Sequence, residues 1–96
     1  MNKSCIIIGS GLGGLSCGVI LAKNGYKVTV LEQGTQIGGC LQCFARRGVR
    51  FETGMHFIGS ADKGQTLNKL MNYLGLTQDK ITLNRLDTTC YDTVSL

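Results

Sequence analysis

A glycine-rich turn directly follows a short apolar run near the start of the chain. The apolar run is Cys5–Ile8, and residues 9–14 of the turn are Gly-Ser-Gly-Leu-Gly-Gly. An unbroken apolar run of this kind is typical of a strand buried on both faces of a parallel sheet. Gly9 permits a sharp turn, Gly11 a close approach of backbone to a ligand, and Gly14 tight packing of the following helix on the strand.

A helix and a second strand are predicted to follow the turn. Residues 12–24 form the helix, which ends near Gly25, and Tyr26–Leu31 form the strand. Glu32 ends this strand, 18 residues after Gly14. A carboxylate in this place accepts hydrogen bonds from a ribose 2′-hydroxyl and repels a 2′-phosphate. Residues 5–32 together predict a dinucleotide site. The spacing of four apolar helix residues predicts that they face the sheet: Leu12, Leu15, Val19 and Ala22.

Two further elements are predicted downstream. Residues 43–46 and 49–53 form a hairpin with Arg47-Gly48 at its turn. Residues 62–74 form an amphipathic helix in which Asp62 is the N-cap, and Gly75 ends it with Leu76 packed back on the last turn. Its capping-box partner is Gln65, and its apolar stripe is predicted to be core: Leu67, Leu70, Met71 and Leu74. The tail, residues 83–96, has the composition of a strand.

The number of strands is small for the fold that the first motif predicts. A doubly wound nucleotide-binding domain has four or more parallel strands as a rule, whereas this chain of 96 residues offers two strong candidates. We therefore expect an incomplete α/β domain, in which residues 1–96 are the N-terminal portion of a longer protein and the substrate domain lies outside this chain. The strand at Ile6–Ile8 would then lack neighbours within the chain.

Composition excludes several function classes. Ten Lys and Arg against six Asp and Glu give a net charge of +4, which favours an anionic ligand. No block of five basic residues is present, so nucleic acid is not an expected partner. No apolar window approaches 18 residues, and no cleavage signature follows the first apolar run, so neither a transmembrane span nor a signal peptide is predicted. Cytoplasmic location is the expectation.

The cysteines do not form a pattern that predicts a metal site. There are five, an odd number, and Cys5 and Cys17 lie where a buried thiol acts as a small apolar side chain. Cys40 and Cys43 have CxxC spacing, but zinc would require a second pair or more histidines than His56. No metal is predicted, and a redox dithiol is a minority alternative.

Two more glycine clusters indicate close backbone approach to a bulky ligand. Gly38-Gly39 closes the loop that follows the second strand, and neither residue carries a side chain that would obstruct a flat ligand. Gly54 and Gly59 bracket a short aromatic segment that contains His56. A plain flexible turn is the alternative for the first cluster, and a structural role is the alternative for the lone histidine.

With these segments the sequence resembles the phytoene desaturase-like flavoproteins, and within them the all-trans-retinol 13,14-reductase (retinol saturase) branch. The resemblance covers residues 4–60 well and weakens through the tail. It implies FAD in the first site, with the pyrophosphate at the glycine turn, the adenosine ribose at Glu32 and the flavin near Gly38-Gly39. Many relatives have arginine where this chain has Cys40, which argues against an amine-oxidase-like enzyme. The residues expected to bind the cofactor are Gly9, Ser10, Gly11, Leu12, Gly13, Gly14, Glu32, Gln33, Gly38, Gly39, Cys40, Gly54 and His56.

The resemblance also implies an activity for the longer protein. Enzymes of this family reduce or desaturate carbon–carbon bonds of polyene or isoprenoid-like substrates, with hydride passing through the flavin. A small apolar substrate and the remainder of the polypeptide are the implied partners, peripheral membrane contact is compatible with such a substrate, and NAD or NADP is a possible electron donor or acceptor. No catalytic acid or base is assigned. We expect this chain alone to bind FAD weakly or not at all and to show no turnover.

Two alternatives remain open from the sequence. The first motif alone does not exclude the Rossmann half of an NAD-dependent dehydrogenase. The chain could also be a complete non-enzymatic module that binds a nucleotide or a partner protein. Cooperative unfolding of the isolated chain would favour the module.

Overall fold

The computed structural model describes residues 2–96 and contains four strands, two α-helices and one 3₁₀ turn. In chain order these are β1 (Lys3–Ile8), α1 (Leu12–Lys23), β2 (Tyr26–Leu31), the 3₁₀ turn (Gly39–Leu41), β3 (Cys43–Arg46), β4 (Val49–Glu52) and α2 (Thr66–Leu74). Loops connect these elements, and residues 75–96 form turns and irregular chain.

The first three elements form a βαβ unit. β1 and β2 pair in parallel, with Cys5 opposite Val28 and Ile8 opposite Leu31, and α1 makes the crossover between them. β1 begins two residues before the predicted run and α1 ends one residue before the predicted boundary, which is ordinary fraying at element ends. The Rossmann-like α/β prediction is confirmed.

Helix α1 packs on the sheet through a glycine face. Gly18 is buried, and a Cβ built on it would lie 3.4 Å from Cδ1 of Ile7 and 3.6 Å from Cγ1 of Val28. The prediction that Leu12, Val19 and Ala22 face the sheet is therefore wrong: all three are exposed, and Leu12 retains 62% of its accessible surface. The glycines bring the helix backbone close to the strands, and this rotates the larger apolar side chains to the flanks and outer side of the helix.

The opposite face of the sheet is open. Ile6 is 67% exposed and Ile8 88% exposed, because α1 covers only the face that carries Cys5 and Ile7. The prediction of a strand buried on both faces is wrong for this chain. Cys17 is likewise exposed rather than buried, while Cys5 is half-buried. Among residues 2–96, no hydrophobic side chain is fully buried.

The predicted hairpin is confirmed, with β4 one residue shorter than expected. β3 and β4 pair antiparallel, and the rings of Phe44 and Phe51 stack across the pair with centroids 5.4 Å apart. Arg47 and Gly48 at the turn have φ of 51° and 79°. Positive φ at both central residues identifies a type I′ turn, whose twist matches that of the flanking strands.

Helix α2 begins later than predicted. Gln65, not Asp62, is its N-cap, and the Gln65 side chain accepts a hydrogen bond from the Asp62 backbone N–H at 3.0 Å. Asp62 does not cap the helix because its carboxylate pairs with Arg85. The C-terminal end is as predicted: Gly75 has φ of 85°, and the N–H of Leu76 donates to the carbonyl of Met71 at 2.8 Å.

The stripe of α2 is only partly covered. Leu67, Met71 and Leu74 are half-buried, whereas Leu70 is exposed, so the prediction of a core stripe is wrong at Leu70. Residues 83–96 form no strand in the described chain, contrary to the composition of this tail. No helix within residues 2–96 has the length and apolar character that crossing a membrane requires.

Candidate functional site

The glycine turn ends β1 and begins α1 at the carboxyl edge of the sheet. Gly9 has φ of 102°, and its N–H donates to the carbonyl of Leu31 at 2.7 Å, which fastens the turn to the end of β2. A Cβ built on Gly14 would lie 2.2 Å from the carbonyl oxygen of Gly9, so glycine is required there. Gly11 is the N-cap of α1. The amides of the first helical turn have no acceptor within the helix, and such groups favour an anion.

Glu32 is bound to the turn from the neighbouring strand. Its Oε1 accepts hydrogen bonds from the Ser10 hydroxyl at 2.6 Å and the Ser10 backbone N–H at 3.0 Å, and its Oε2 accepts one from the Gly34 N–H at 2.8 Å. Donors favour the ionised carboxylate. Chiefly through the Ser10 hydroxyl, and then through the Gly34 and Ser10 N–H groups, they lower the pKa of Glu32 to about 2. The site therefore holds a fixed negative charge at neutral pH.

The second glycine pair lies directly against the turn. The N–H of Gly38 donates to the carbonyl of Ser10 at 2.9 Å, and Gly38 and Gly39 have φ of 113° and 58°. A Cβ built on Gly39 would lie 2.9 Å from Cα of Gly11. The two glycine motifs, which lie far apart in the sequence, therefore form one continuous backbone surface.

The surface continues through Cys40 to the segment after β4. The hydroxyl of Thr53 lies 3.1 Å from the carbonyl oxygen of Cys40 and 2.9 Å from that of Gln42, and its single proton is shared between these two acceptors. A Cβ built on Gly54 would lie 3.5 Å from the carbonyl oxygen of Cys40. The 3₁₀ turn thus links the glycine turn to the start of the Gly54–Gly59 segment.

His56 lies outside this backbone surface. Its Nδ1 is 3.6 Å from Oε2 of Glu52, and both side chains are exposed, so the pair holds the imidazole only weakly. The Gly54–Gly59 segment, α2 and the tail border an open groove of about 1190 Å³. In this groove the rings of Phe57 and Tyr91 meet edge to face with centroids 5.6 Å apart. His56 lines the groove rather than the glycine turn.

Four further residues were predicted for the site: Leu12, Gly13, Gln33 and Cys40. The side chains of Leu12 and Gln33 are both exposed. Gly13 has open space where a Cβ would stand. Cys40 and Cys43 both carry free thiols. Within residues 2–96, no three side chains of the metal-ligating types lie together.

Two contacts of the site were missed by reasoning from the sequence. The sequence gives only a weak indication of the bond from the Ser10 hydroxyl to Glu32, namely that the second residue of the turn carries a hydroxyl. It gives no indication of the bonds of Thr53 to two carbonyls of the 3₁₀ turn, because they depend on how the hairpin folds back over residues 40–42.

Comparison with known proteins finds a matching family and several relatives. Residues 7–74 match the model of the NAD(P)-binding Rossmann-like domain. The all-trans-retinol 13,14-reductase of Homo sapiens is 43% identical over 82 residues, which are 85% of this chain and 12% of that protein. The phytoene desaturase of Fusarium fujikuroi is 44% identical over 54 residues, which are 56% of this chain and 10% of that protein.

A solved structure resembles the fold. A crystal structure of a protein from Pyrococcus furiosus superposes with a TM-score of 0.63 at 33% sequence identity, and covers 76% of this chain and 19% of that chain. The chain thus spans about an eighth of the length of the retinol reductase that it matches, 12%.

Proposed function

Since the chain belongs to the NAD(P)-binding Rossmann-like domain family, we propose that it is the FAD-binding N-terminal portion of an oxidoreductase. The substrate class that we propose for the longer protein is a polyene or isoprenoid-like compound, in which a carbon–carbon double bond is reduced or a single bond is desaturated. The similarity to a retinol reductase and to a phytoene desaturase supports this class.

The main observation in favour of FAD is that Gly38 and Gly39 pack directly against the glycine turn. The Gly38–Ser10 hydrogen bond and the 2.9 Å approach of a Cβ on Gly39 to Gly11 extend the backbone surface beyond the turn itself. A mononucleotide needs only the turn and Glu32. An extended backbone surface without side chains fits a longer, flat ligand such as a flavin dinucleotide.

The residues present fit such a ligand. The first amides of α1 would bind the pyrophosphate, Glu32 would accept a ribose hydroxyl, and the backbone of residues 38–40 would lie beside the route to the flavin. When bound, FAD supplies hydride transfer at the isoalloxazine. This chain contributes binding and orientation, and we assign it no catalytic acid or base.

The groove beside His56 has a lining that is part apolar and part polar. Its apolar side chains come from three segments, with Phe57 and Ile58 after β4, Met71 on α2 and Leu86 in the tail, and this apolar part supports an apolar substrate. We propose that the Gly54–Gly59 segment lies at the substrate side of the flavin. The substrate would be a small apolar molecule, and the remainder of the polypeptide would complete both sites. The longer protein would be cytoplasmic, with peripheral membrane contact and with NAD or NADP as electron donor or acceptor.

Flavin retention by the complete gene product tests the proposal. The purified protein is saturated with FAD, unbound flavin is removed, and the visible spectrum is recorded. We expect flavin absorbance from the wild type and a marked loss in Gly39→Ala, because the added methyl group would meet Gly11. Ser4→Thr, which adds a methyl group on β1 away from the glycine turn, is the control and should retain flavin. A wild-type protein that holds no FAD would contradict the proposal.

Membership of the NAD(P)-binding Rossmann-like domain family is also compatible with one other candidate, an NAD-dependent dehydrogenase. Titration of the complete gene product with NADH and with FAD separates the two. Tighter binding of NADH than of FAD, together with a Glu32→Ala variant that loses its preference for NAD over NADP, would favour the dehydrogenase.

A further inference from the structure

Ser10 is the one side chain of residues 2–96 that is polar and almost fully buried, with 1% of its surface exposed. It lies between the glycine turn and the carboxyl end of β2. Its hydroxyl points at Oε1 of Glu32 at 2.6 Å, and its carbonyl accepts the N–H of Gly38 at 2.9 Å. A residue buried to this degree contributes no side-chain surface to a ligand in the site. Its hydroxyl acts on another residue of the site.

The hydrogen bonds on Glu32 are unequally divided between its two oxygens. Oε1 accepts two bonds, both from Ser10, whereas Oε2 accepts one, from Gly34. An ionised carboxylate has about four lone-pair positions, two on each oxygen. Oε2 can therefore accept a hydrogen bond from a further donor. The two bonds from Ser10 hold Oε1 and so fix the plane of the carboxylate in which Oε2 lies.

We propose that Ser10 is a positioning residue for nucleotide recognition, whose buried hydroxyl holds Oε1 of Glu32 so that Oε2 is presented to the ribose 2′-hydroxyl. This inference rests on the proposed role of Glu32 as the ribose acceptor. It differs from a direct role of Ser10 in cofactor binding, because the hydroxyl is aimed at the carboxylate and is covered by protein.

The inference predicts selective damage in Ser10→Ala. The backbone N–H of residue 10 still donates to Oε1 at 3.0 Å, so the turn keeps one of its two bonds to Glu32. The carboxylate loses its shortest bond and gains rotational freedom. Affinity should fall for ligands that carry a 2′-hydroxyl. Affinity for ligands without this hydroxyl should not change, because they make no bond to Glu32 that Ser10 could position. A general disturbance of the turn would weaken both kinds of ligand.

The experiment measures dissociation constants of ADP and 2′-deoxy-ADP for the complete gene product without bound flavin. In the wild type we expect ADP to bind roughly tenfold more tightly than 2′-deoxy-ADP, the scale of one hydrogen bond to a charged group. In Ser10→Ala, ADP should weaken by about the same factor while 2′-deoxy-ADP changes by less than about twofold. Ser4→Ala, the same change on β1 away from the glycine turn, should leave both constants unchanged.

A double-mutant cycle with Glu32→Gln completes the test. If Ser10 acts through Glu32, adding Ser10→Ala to Glu32→Gln has no further effect on ADP binding. Equal weakening of both nucleotides in Ser10→Ala, no weakening of either, or full additivity with Glu32→Gln would overturn the inference. If Ser10→Ala does not fold, Ser10→Cys keeps a side chain of similar size with only a weak donor, and the same pattern is expected of it.

The outcomes separate the inference from the proposed function. A wild type that binds both nucleotides equally shows that Glu32 does not recognise the 2′-hydroxyl, which overturns the proposed ribose role and the inference together. A wild type that discriminates, with a Ser10→Ala variant that discriminates equally well, overturns the inference alone.

Discussion

At the scale of single residues, the site depends on positions where no side chain fits. Gly14 and Gly39 are the clearest cases, because a Cβ at either would lie within 3.0 Å of backbone, at 2.2 Å from Gly9 and 2.9 Å from Gly11. Gly13, by contrast, has open space around it. The neighbouring glycines 13 and 14 therefore have different roles despite their identical chemistry.

Stability measurements on two alanine variants test this difference. Gly14→Ala should lower the free energy of unfolding by roughly 1–3 kcal/mol, because the methyl group must displace the carbonyl of Gly9. Gly13→Ala should leave it unchanged or raise it by up to about 1 kcal/mol, since alanine favours the helix. Urea unfolding of the complete gene product without nucleotide measures both. Equal destabilisation by the two changes would contradict the packing described for α1.

The ionisation of Glu32 gives a pH-dependent prediction. Its pKa in the folded protein is about 2, against an ordinary value of 4.5, because donors from Ser10 and Gly34 favour the charged form. A lowered carboxyl pKa stabilises the fold fully above the ordinary value, and this contribution is lost as the pH falls through the folded value. ¹³C NMR titration should find the low pKa in the wild type and a higher pKa in Ser10→Ala. An unchanged pKa in the variant would contradict the role of the hydroxyl.

Several site residues could be predicted from the sequence because their requirement is local. The glycines of the turn and Glu32 follow from spacing along one βαβ unit, and the structure brings them together. The sequence could not show that the Ser10 hydroxyl bonds Glu32, since that depends on the relative height of two strand ends. Nor could it show that His56 lies on the groove, because its position follows from the path of the chain after β4.

At the scale of elements, the turn of the β3–β4 hairpin contains a residue that is unusual at its position. The type I′ turn needs positive φ at both central residues, and these are Arg47 at 51° and Gly48 at 79°. Glycine suits the second position, whereas arginine has no preference for the left-handed region at the first. The Phe44–Phe51 pair compensates by fixing the register from across the strands.

Substitutions at the turn test this account of the hairpin. Gly48→Ala should destabilise the complete gene product by roughly 1–2 kcal/mol, the cost of a left-handed residue with a Cβ. Arg47→Asn should stabilise it, because asparagine accepts positive φ more readily. Gly59→Ala is the control, since Gly59 lacks a positive φ and has no atom within 4 Å of its Cβ position. Thermal unfolding distinguishes the three, and equal effects at Gly48 and Gly59 would refute the turn assignment.

Elements with a strong local signal could be predicted, and elements decided by tertiary contacts could not. The end of α2 at Gly75 is local, and it is as predicted. Its start is not, because Asp62 is engaged by Arg85, 23 residues away. The tail has strand-favouring residues, yet residues 83–96 pair with none of the four described strands.

At the scale of the whole chain, the apolar surface is largely uncovered. One helix covers one face of a two-stranded sheet, and the other face presents Ile6 and Ile8 to solvent. Sheets of two strands are marginal on their own. The sequence predicted the βαβ unit and the shortage of strands, but the single-sided cover of the sheet became evident only in the structure.

The isolated 96-residue chain is therefore expected to lack a cooperative folding transition. Urea unfolding followed by circular dichroism should be broad, and the chain should bind a hydrophobic dye under native conditions, as exposed apolar surface does. The complete gene product, measured in parallel, should show neither behaviour. A sharp, single transition of the isolated chain would favour the alternative of a self-contained module.

The measurement that most directly tests the central claim is a crystal structure of the complete gene product with FAD. The account predicts a pyrophosphate at the first amides of α1, a ribose hydroxyl within hydrogen-bonding distance of Glu32, and the ligand passing along Gly38-Gly39 toward the isoalloxazine. A structure in which FAD binds elsewhere, or in which the glycine turn holds a nicotinamide dinucleotide in its place, would contradict it.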